Sequence, residues 1–337
     1  MTTRPPTSTA TERVATTERV ATTERVAATE RVAATERITG PADEHAAVRA
    51  AAIADAVIAW FGEYARELPW REQGFPAWGI LVSEVMLQQT QVARVVPRLA
   101  EWLDRWPTPA ALAAEPPGEA VRMWHRLGYP RRALNLHAAA VVITERHGGE
   151  VPSDVEQLLA LPGVGDYTAR AVASFAFGER HPVVDTNVRR VIARAVAGLA
   201  EAGPPRIRAD LEAMERLLPT DRRQAQLTNA GVMELGAIVC TARAPRCDGC
   251  PINALCAWRA AGYPAYDGPR ARGQARFEGS DRQVRGLVMA ELRASDIPVT
   301  RTELERAWPD AEQLTRAIDT LVRDGLAVSE GDAYRLP

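Results

Sequence analysis

The chain contains no lysine, so all 41 of its basic residues are arginine. A guanidinium stays protonated in proteins and cannot serve as an amine nucleophile. Schiff-base chemistry from a side chain is therefore excluded, which leaves only the α-amino group. Cysteine is scarce as well, with 4 in 337 residues, all between 240 and 256. That excludes a disulfide-stapled scaffold. No apolar run approaches the length of a membrane span, and the N-terminus shows no segment of secretory type. A cytoplasmic protein that uses no membrane is the expectation. The five histidines (45, 125, 137, 147, 181) have no metal-like spacing and read as structural or surface groups. Net charge is only −2, so the bulk balance does not announce nucleic acid. Local balance differs: residues 121–200 carry ten arginines against seven acids, and 241–290 carry eight against four. Such surpluses suit a phosphate-binding face, and equally an ordinary solvated helix surface.

Residues 11–38 repeat with period six, TERVAT to TERITG. Six matches neither the helical period nor a heptad, so residues 1–42 read as a disordered tail, with a fluctuating helix as the alternative. Helical periodicity begins near Ala46. It continues through Trp78–Gln89, Gln91–Trp106, Pro117–Leu127, Ala133–His147, Val155–Leu161, Thr168–Phe177, Thr186–Ala197 and Pro205–Leu218, broken by Pro or Gly. Alternating strand patterns are almost absent, so the fold class is all-α. A Gly/Pro/Arg-rich stretch over Ala260–Gly279 reads as a linker. Beyond it, Arg282–Ala294, Arg301–Trp308 and Ala311–Asp324 read as three helices. Leu326–Ser329 and Ala333–Leu336 read as two strands about Gly331-Asp332. Three helices and a hairpin make a winged-helix-like pattern, a fold that binds DNA in some proteins and other proteins in others.

The four cysteines are spaced Cys240-x6-Cys247-x2-Cys250-x5-Cys256. Thiols this close point to a metal, and either zinc or a cubane cluster suits four thiolates. Zinc sites usually show two C-x2-C knuckles, and this loop has one. Arg243 and Arg246 lie within the loop, where they could reach phosphates. Upstream, Leu161-Pro162-Gly163-Val164-Gly165 separates two helical segments. Gly163 and Gly165 would leave backbone N–H groups uncovered at a helix start, a phosphate-binding turn indifferent to base sequence; an ordinary helical hairpin is the plainer reading. Glu84 stands in the apolar run Ile80–Leu87. If buried, its carboxyl would be raised and partly protonated near neutrality, ready to protonate a purine nitrogen. A surface or capping glutamate is the alternative. Asp185 precedes a helix and reads as an N-cap.

The order of these motifs resembles the helix-hairpin-helix glycosylase superfamily, also known from endonuclease III, and within it the adenine DNA glycosylases (MutY type). Five stretches carry the resemblance: Leu68-Pro69-Trp70, Ser83 to Val92 (SEVMLQQTQV), Leu127-Gly128-Tyr129, Leu161 to Gly165, and Met233 to Ala237 running into Cys240. They span about residues 48–262. The resemblance implies a six-helix domain over 75–187 and an iron–sulfur domain from 43–74 with 188–262. A linker over 263–280 and a winged-helix-like domain over 281–337 complete the chain. It implies a [4Fe–4S] cluster on Cys240, Cys247, Cys250 and Cys256. It implies a monomer acting on double-stranded DNA that contains a mispaired adenine. The base is flipped out and its N-glycosidic bond hydrolysed. Glu84 would be general acid and then base, and Asp185 would stabilise the oxocarbenium-like sugar, with Tyr167 and Asn187 in support. Gln89 and Tyr129 would push into the duplex, while Trp70, Arg71 and Glu234 would line the adenine pocket.

Bifunctional relatives carry a lysine at the position of Tyr167. This chain has none, which implies a monofunctional enzyme that leaves an abasic site. Two departures stand out. Pro130 follows Tyr129 where relatives often have a second tyrosine, and residues 281–337 are too short and too helical for the Nudix-like domain that reads 8-oxoguanine. Adenine opposite 8-oxoguanine is the leading substrate, with adenine opposite guanine next. The rivals are thymine removal from T·G and a non-catalytic iron–sulfur, winged-helix DNA-binding regulator.

Overall fold

A computed structural model describes residues 41–269 and 276–337. The repeat tail expected over 1–42 lies outside the described residues, apart from its last two. Those two already belong to α1 (Pro41–Tyr64). Residues from Ala50 onward form one unit.

Helices account for nearly all of its regular secondary structure. After a 3-10 turn at Pro69–Arg71 come α2 (Ala77–Leu87), α3 (Val92–Arg105), α4 (Pro109–Ala113), α5 (Pro117–Met123) and α6 (Arg131–Arg146). Then follow α7 (Val155–Leu159), α8 (Asp166–Phe177), α9 (Thr186–Ala195), α10 (Ile207–Glu215), α11 (Arg222–Ile238) and the short α12 (Ala257–Ala260). Side-chain caps set several starts: Asp154 accepts from the Gln157 amide at 3.0 Å, and Asp221 from Gln224 at 2.8 Å. The turn at Gly178, φ 68°, ends α8 in the left-handed region that glycine tolerates.

Two apolar cores organise these helices. One gathers α2 to α8 around Trp102, Trp106 and Trp124, whose rings meet edge to face with centroids 4.7 and 5.7 Å apart. The other gathers Ile53 and Val57 of α1 with Val188, Val191 and Ile192 of α9 and Val232 and Leu235 of α11. Glu44–Tyr64 is long and apolar enough to cross a membrane by length and composition, contrary to the sequence expectation. From Ala50 on, it turns Ile53 and Val57 into this second core, and the rest of its apolar character comes largely from alanine.

The C-terminal residues form α13 (Asp281–Ala294), β1 (Val299–Thr300), α14 (Arg301–Ala307), α15 (Ala311–Arg323), β2 (Val328–Glu330) and β3 (Ala333–Arg335). The sheet is antiparallel in the order β1-β3-β2, with Val299 opposite Tyr334 and Ser329 opposite Tyr334 on the other side. It therefore has three strands rather than the expected two, because two residues before α14 pair with β3. The first hairpin strand starts later than expected. Gly325 at φ 69° and the Leu326 amide bonded to Leu321 O first close α15, and Leu326 and Ala327 point into the core. This unit shares the first apolar core, so it is docked rather than tethered. The Gly118 amide donates to Pro337 O at 2.8 Å, and Arg122 donates to Ser295 O at 3.1 Å and to Arg293 O. A Cβ at position 118 would stand 2.4 Å from Pro337 O, so only glycine fits that seam.

Candidate active site

A cleft of about 1390 Å³ opens between the two helical cores, roomy enough for a nucleoside. Glu84, Tyr167, Asp185, Asn187, Gln89, Trp70, Arg71 and Glu234 all line it. Tyr129, Gly163, Gly165, Arg243 and Arg246 do not.

Glu84 lies on α2, which packs along α8, and it is only 4 % exposed. It is neither a surface group nor a cap. Its Oε2 is buried without a hydrogen-bond partner. Burial drives the carboxyl up, hydrogen bonding from Tyr167 offsets part of the rise, and the Asp185 charge adds to it; the result is about 7. Tyr167, in the first turn of α8, is itself raised well above the usual phenol value by burial and by the two carboxylates. Asp185 does cap α9, accepting from the Val188 amide at 2.7 Å. Its second oxygen accepts from Asn187 Nδ2 at 2.7 Å and faces the cleft region. Burial raises Asp185 while these hydrogen bonds oppose the rise. The site thus pairs one half-protonated acid with one hydrogen-bonded carboxylate, the division of labour that glycoside hydrolysis requires.

Glu234, 1 % exposed, is held by two arginines. Arg66 donates from Nε at 2.7 Å and from Nη2 at 2.8 Å, and Arg71 from Nη2 at 2.8 Å. Although burial alone would raise it, these bonds bring Glu234 down to about 2. Arg71 also stacks over Phe61 at 5.0 Å. Arg66 carries no signal in the sequence.

Gln89 and Tyr129 occupy adjoining loops, and both have positive φ, 56° and 47°, which side-chain-bearing residues rarely adopt. Tyr129 is half exposed rather than a core residue. One buried arginine from α6 joins the two loops. Arg132 donates to Val85 O, Met86 O and Gln88 O at 2.8, 3.1 and 2.6 Å, and to Gly128 O at 2.9 Å. It also reaches Thr90 Oγ1 at 3.1 Å and stacks over Trp124 and Tyr129.

In the hairpin, Gly163 has φ 76°, and a Cβ there would meet Asn135 Cβ at 2.5 Å. Gly165 has ordinary φ and open space around it, so no protein contact demands glycine there. Among the described residues neither glycine amide has a hydrogen-bond partner, which leaves both available to an anion at the start of α8.

The four cysteines are free and line one small cavity with Arg194, Ile252 and Trp258. Among the described residues no group of side chains closes in to the geometry of a single metal ion. The all-sulfur donor set fits a larger cluster. Burial pushes the Cys250 thiol up to about 11, with the other thiols adding to the rise, so four thiolates need a cationic centre to hold them. Arg194 donates to Cys240 Sγ at 3.4 Å and to Thr241 O at 2.7 Å. A chain of bonds runs from this loop to the cleft. Arg190 donates to Cys240 O at 2.7 Å and to Asn187 Oδ1 at 2.8 Å, and Asn187 donates to Asp185. Arg246 turns back onto Ile238 O, whereas Arg243 is exposed and has no partner among the described residues.

Residues 82–216 match a family model described as HhH-GPD superfamily base excision DNA repair protein, and 240–256 match the iron–sulfur binding domain of endonuclease III. The chain is 53 % identical to the adenine DNA glycosylase of Mycobacterium tuberculosis (strain CDC 1551 / Oshkosh), over 83 % of this chain and 92 % of that protein. The chain belongs to the adenine DNA glycosylase family. The adenine DNA glycosylase of Mycolicibacterium smegmatis is 52 % identical over 82 % of this chain and 92 % of its own length. Among solved structures, a thermostable thymine-DNA glycosylase superposes with a TM-score of 0.57 at 27 % identity, covering 63 % of this chain and 97 % of that one. The match to the iron–sulfur binding domain of endonuclease III gives the cofactor as a [4Fe–4S] cluster, for which Cys240, Cys247, Cys250 and Cys256 are the four available ligands.

Proposed function

We propose that this protein is a monofunctional, monomeric DNA repair glycosylase that flips out adenine mispaired with 8-oxoguanine or guanine in double-stranded DNA and hydrolyses its N-glycosidic bond. The observation that carries the reading is the fully buried Glu84 carboxyl, poised near neutrality beside Asp185. In its protonated form Glu84 gives its proton to a ring nitrogen of the extruded adenine. The bond from the sugar C1′ to the base breaks, and its electron pair leaves with the adenine. Asp185, fixed by Val188 and Asn187, faces the cationic sugar and lowers its energy. Glu84, now a carboxylate, takes a proton from water as its oxygen bonds to C1′. Proton and charge balance, and an abasic site remains. Tyr167 occupies the position where a lysine would form a Schiff base, so strand cleavage requires added alkali.

Trp70, Arg71 and Glu234 line the base pocket, with Glu234 held as a carboxylate by Arg66 and Arg71 and in turn fixing the Arg71 guanidinium there. Gln89 and Tyr129 fill the space the base vacates. Gly163, Gly165, Arg243 and Arg246 are assigned to contacts with the DNA backbone. The cluster holds the loop carrying Arg243 in place. Residues 43–74 with 188–262, 75–187 and 281–337 serve as the cluster, six-helix and winged-helix-like domains. The setting is the cytoplasm.

The test is incubation with duplexes holding A·8-oxoG, A·G, T·G or an abasic site, with and without alkali. Adenine release with alkali-dependent cleavage is expected. Release of thymine alone would transfer the assignment to T·G repair, and no release from any duplex, with the cluster loaded, would leave only a DNA-binding regulator.

A further inference from the structure

The surface of the docked C-terminal unit argues against the usual way a winged-helix-like unit meets DNA. Residues 281–337 carry eight arginines against eleven acids. On α15, the helix that would enter a groove, Glu312 and Asp319 are exposed, and Arg316 stands 3.7 Å from Asp281. The hairpin tip is Glu330-Gly331-Asp332. A surface of this sign repels phosphate.

The seam where this unit meets α5 is different. Arg94 of α3 and Arg126, three residues before Tyr129, are exposed and joined, Arg94 donating to Arg126 O. Arg293 stands at the end of α13, its carbonyl held by Arg122. None of these three arginines has a carboxylate partner among the described residues. Their neighbours do: Arg98 pairs with Glu101, Arg122 with Glu119 at 3.1 Å, and Arg131 with Asp324 at 3.7 Å. Burial and the nearby Arg126 charge hold Arg293 below the usual guanidinium range. Asp296 and Glu101 also lie near this seam but pair with Arg122 and Arg98, and arginines left without a carboxylate partner at a partly desolvated seam are suited to an anion.

We propose that Arg94, Arg126 and Arg293 form a phosphate-gripping seam beside the Tyr129 wedge, and that the C-terminal unit touches DNA here and not through α15. The proposal rests on DNA being the substrate of the cleft. It gives the unit a definite role, in which Arg293 extends the basic track of the six-helix region onto the backbone flanking the flipped nucleotide. Docking through Gly118 and Arg122 keeps Arg293 in register with Arg126. Such contacts position the duplex and carry no base readout.

The experiment uses the full-length, cluster-loaded protein and a short duplex with a tetrahydrofuran abasic analogue opposite 8-oxoguanine, which cannot be cleaved. Binding is measured between about 50 and 200 mM salt. Each lost phosphate contact lowers the slope of log K against log salt by about 0.9, so Arg126→Ala with Arg293→Ala should lower it by about 1.8. Arg126→Lys with Arg293→Lys should keep the slope, since the charge remains. Arg316→Ala with Arg323→Ala on α15 should leave it unchanged. An unchanged slope in the seam double variant, with an unaltered melting temperature, overturns the proposal; so does a drop confined to the α15 pair. Adenine release by the parent protein is scored separately on A·8-oxoG. A lowered slope without release would retain the seam and discard the glycosylase reading.

Discussion

Replacing Glu84 by Gln should abolish base release and, at alkaline pH, make the protein more stable. The stability gain follows from the position of the carboxyl. In the unfolded chain it titrates near 4.5, and in the folded state near 7. The folded state therefore binds the proton more tightly. Stability from this group is fully present below about pH 4.5 and is lost as the pH rises through 7. A difference of about 2.5 pH units corresponds to about 3 kcal/mol. Glu84 is almost wholly buried, so solvent screening removes little of it. The amide of Gln does not titrate, and other groups largely cancel between the two proteins. The stability of Glu84→Gln relative to the parent should therefore improve by about 2 to 3 kcal/mol between pH 5 and 8.5. Paired urea titrations at several pH values, with cluster absorbance checked throughout, read this directly. Single-turnover adenine release should fall by at least about a hundredfold in the same variant. In the parent, release should decline about tenfold per pH unit above 7, as the acid form disappears. A pH-independent difference in stability would refute the buried, near-neutral carboxyl, and normal turnover in Glu84→Gln would remove it from the chemistry.

Other outcomes follow from the same structure. Arg132→Lys keeps the charge but cannot span the carbonyls of both loops; 2-aminopurine fluorescence should show impaired base flipping, while binding to an abasic product duplex changes little. Gly163→Ala forces a side chain into left-handed backbone and against Asn135, so chemical denaturation should show a loss of about 1 to 3 kcal/mol, with weakened binding to undamaged duplex. Cys250→Ser should lose the visible absorbance of the cluster and the compactness of 240–256, read as faster limited proteolysis there. Borohydride should trap no covalent complex between the parent and an abasic duplex, because no lysine exists to form one.

Much of this was legible in the sequence because the signals are local. A glutamate inside the apolar run Ile80–Leu87 invites the question of burial, though a surface or capping glutamate suits the sequence as well, and the structure decides for burial. Asp185 is a cap by position, and the one-knuckle cysteine spacing marks a cluster loop. The helices were readable from their period and breakers, whereas β1 is two residues long and exists only because β3 lies beside it. The arginines that hold the site together were not legible. Arg66, Arg132, Arg190 and Arg194 look like surface residues in a chain rich in arginine. Beside a few local bonds, each has a carboxylate or main-chain carbonyl partner brought in from about 40 to 170 residues away, and no short window of sequence contains both ends of those. The same applies to Gly118, whose need for a missing side chain is set by the last residue of the chain.

Arg132 has a consequence for how this protein meets a genome. By tying the Gln89 and Tyr129 loops to one guanidinium, it settles their shape when the protein folds, before any DNA is present. A probe already set does not have to be ordered at each base pair it tests. On the proposed role of Gln89 and Tyr129, scanning would be a mechanical comparison, in which a preset side chain is pressed against successive steps and the weakly stacked ones give way. On that role, the pliancy of the duplex rather than the rearrangement of the enzyme would limit the search.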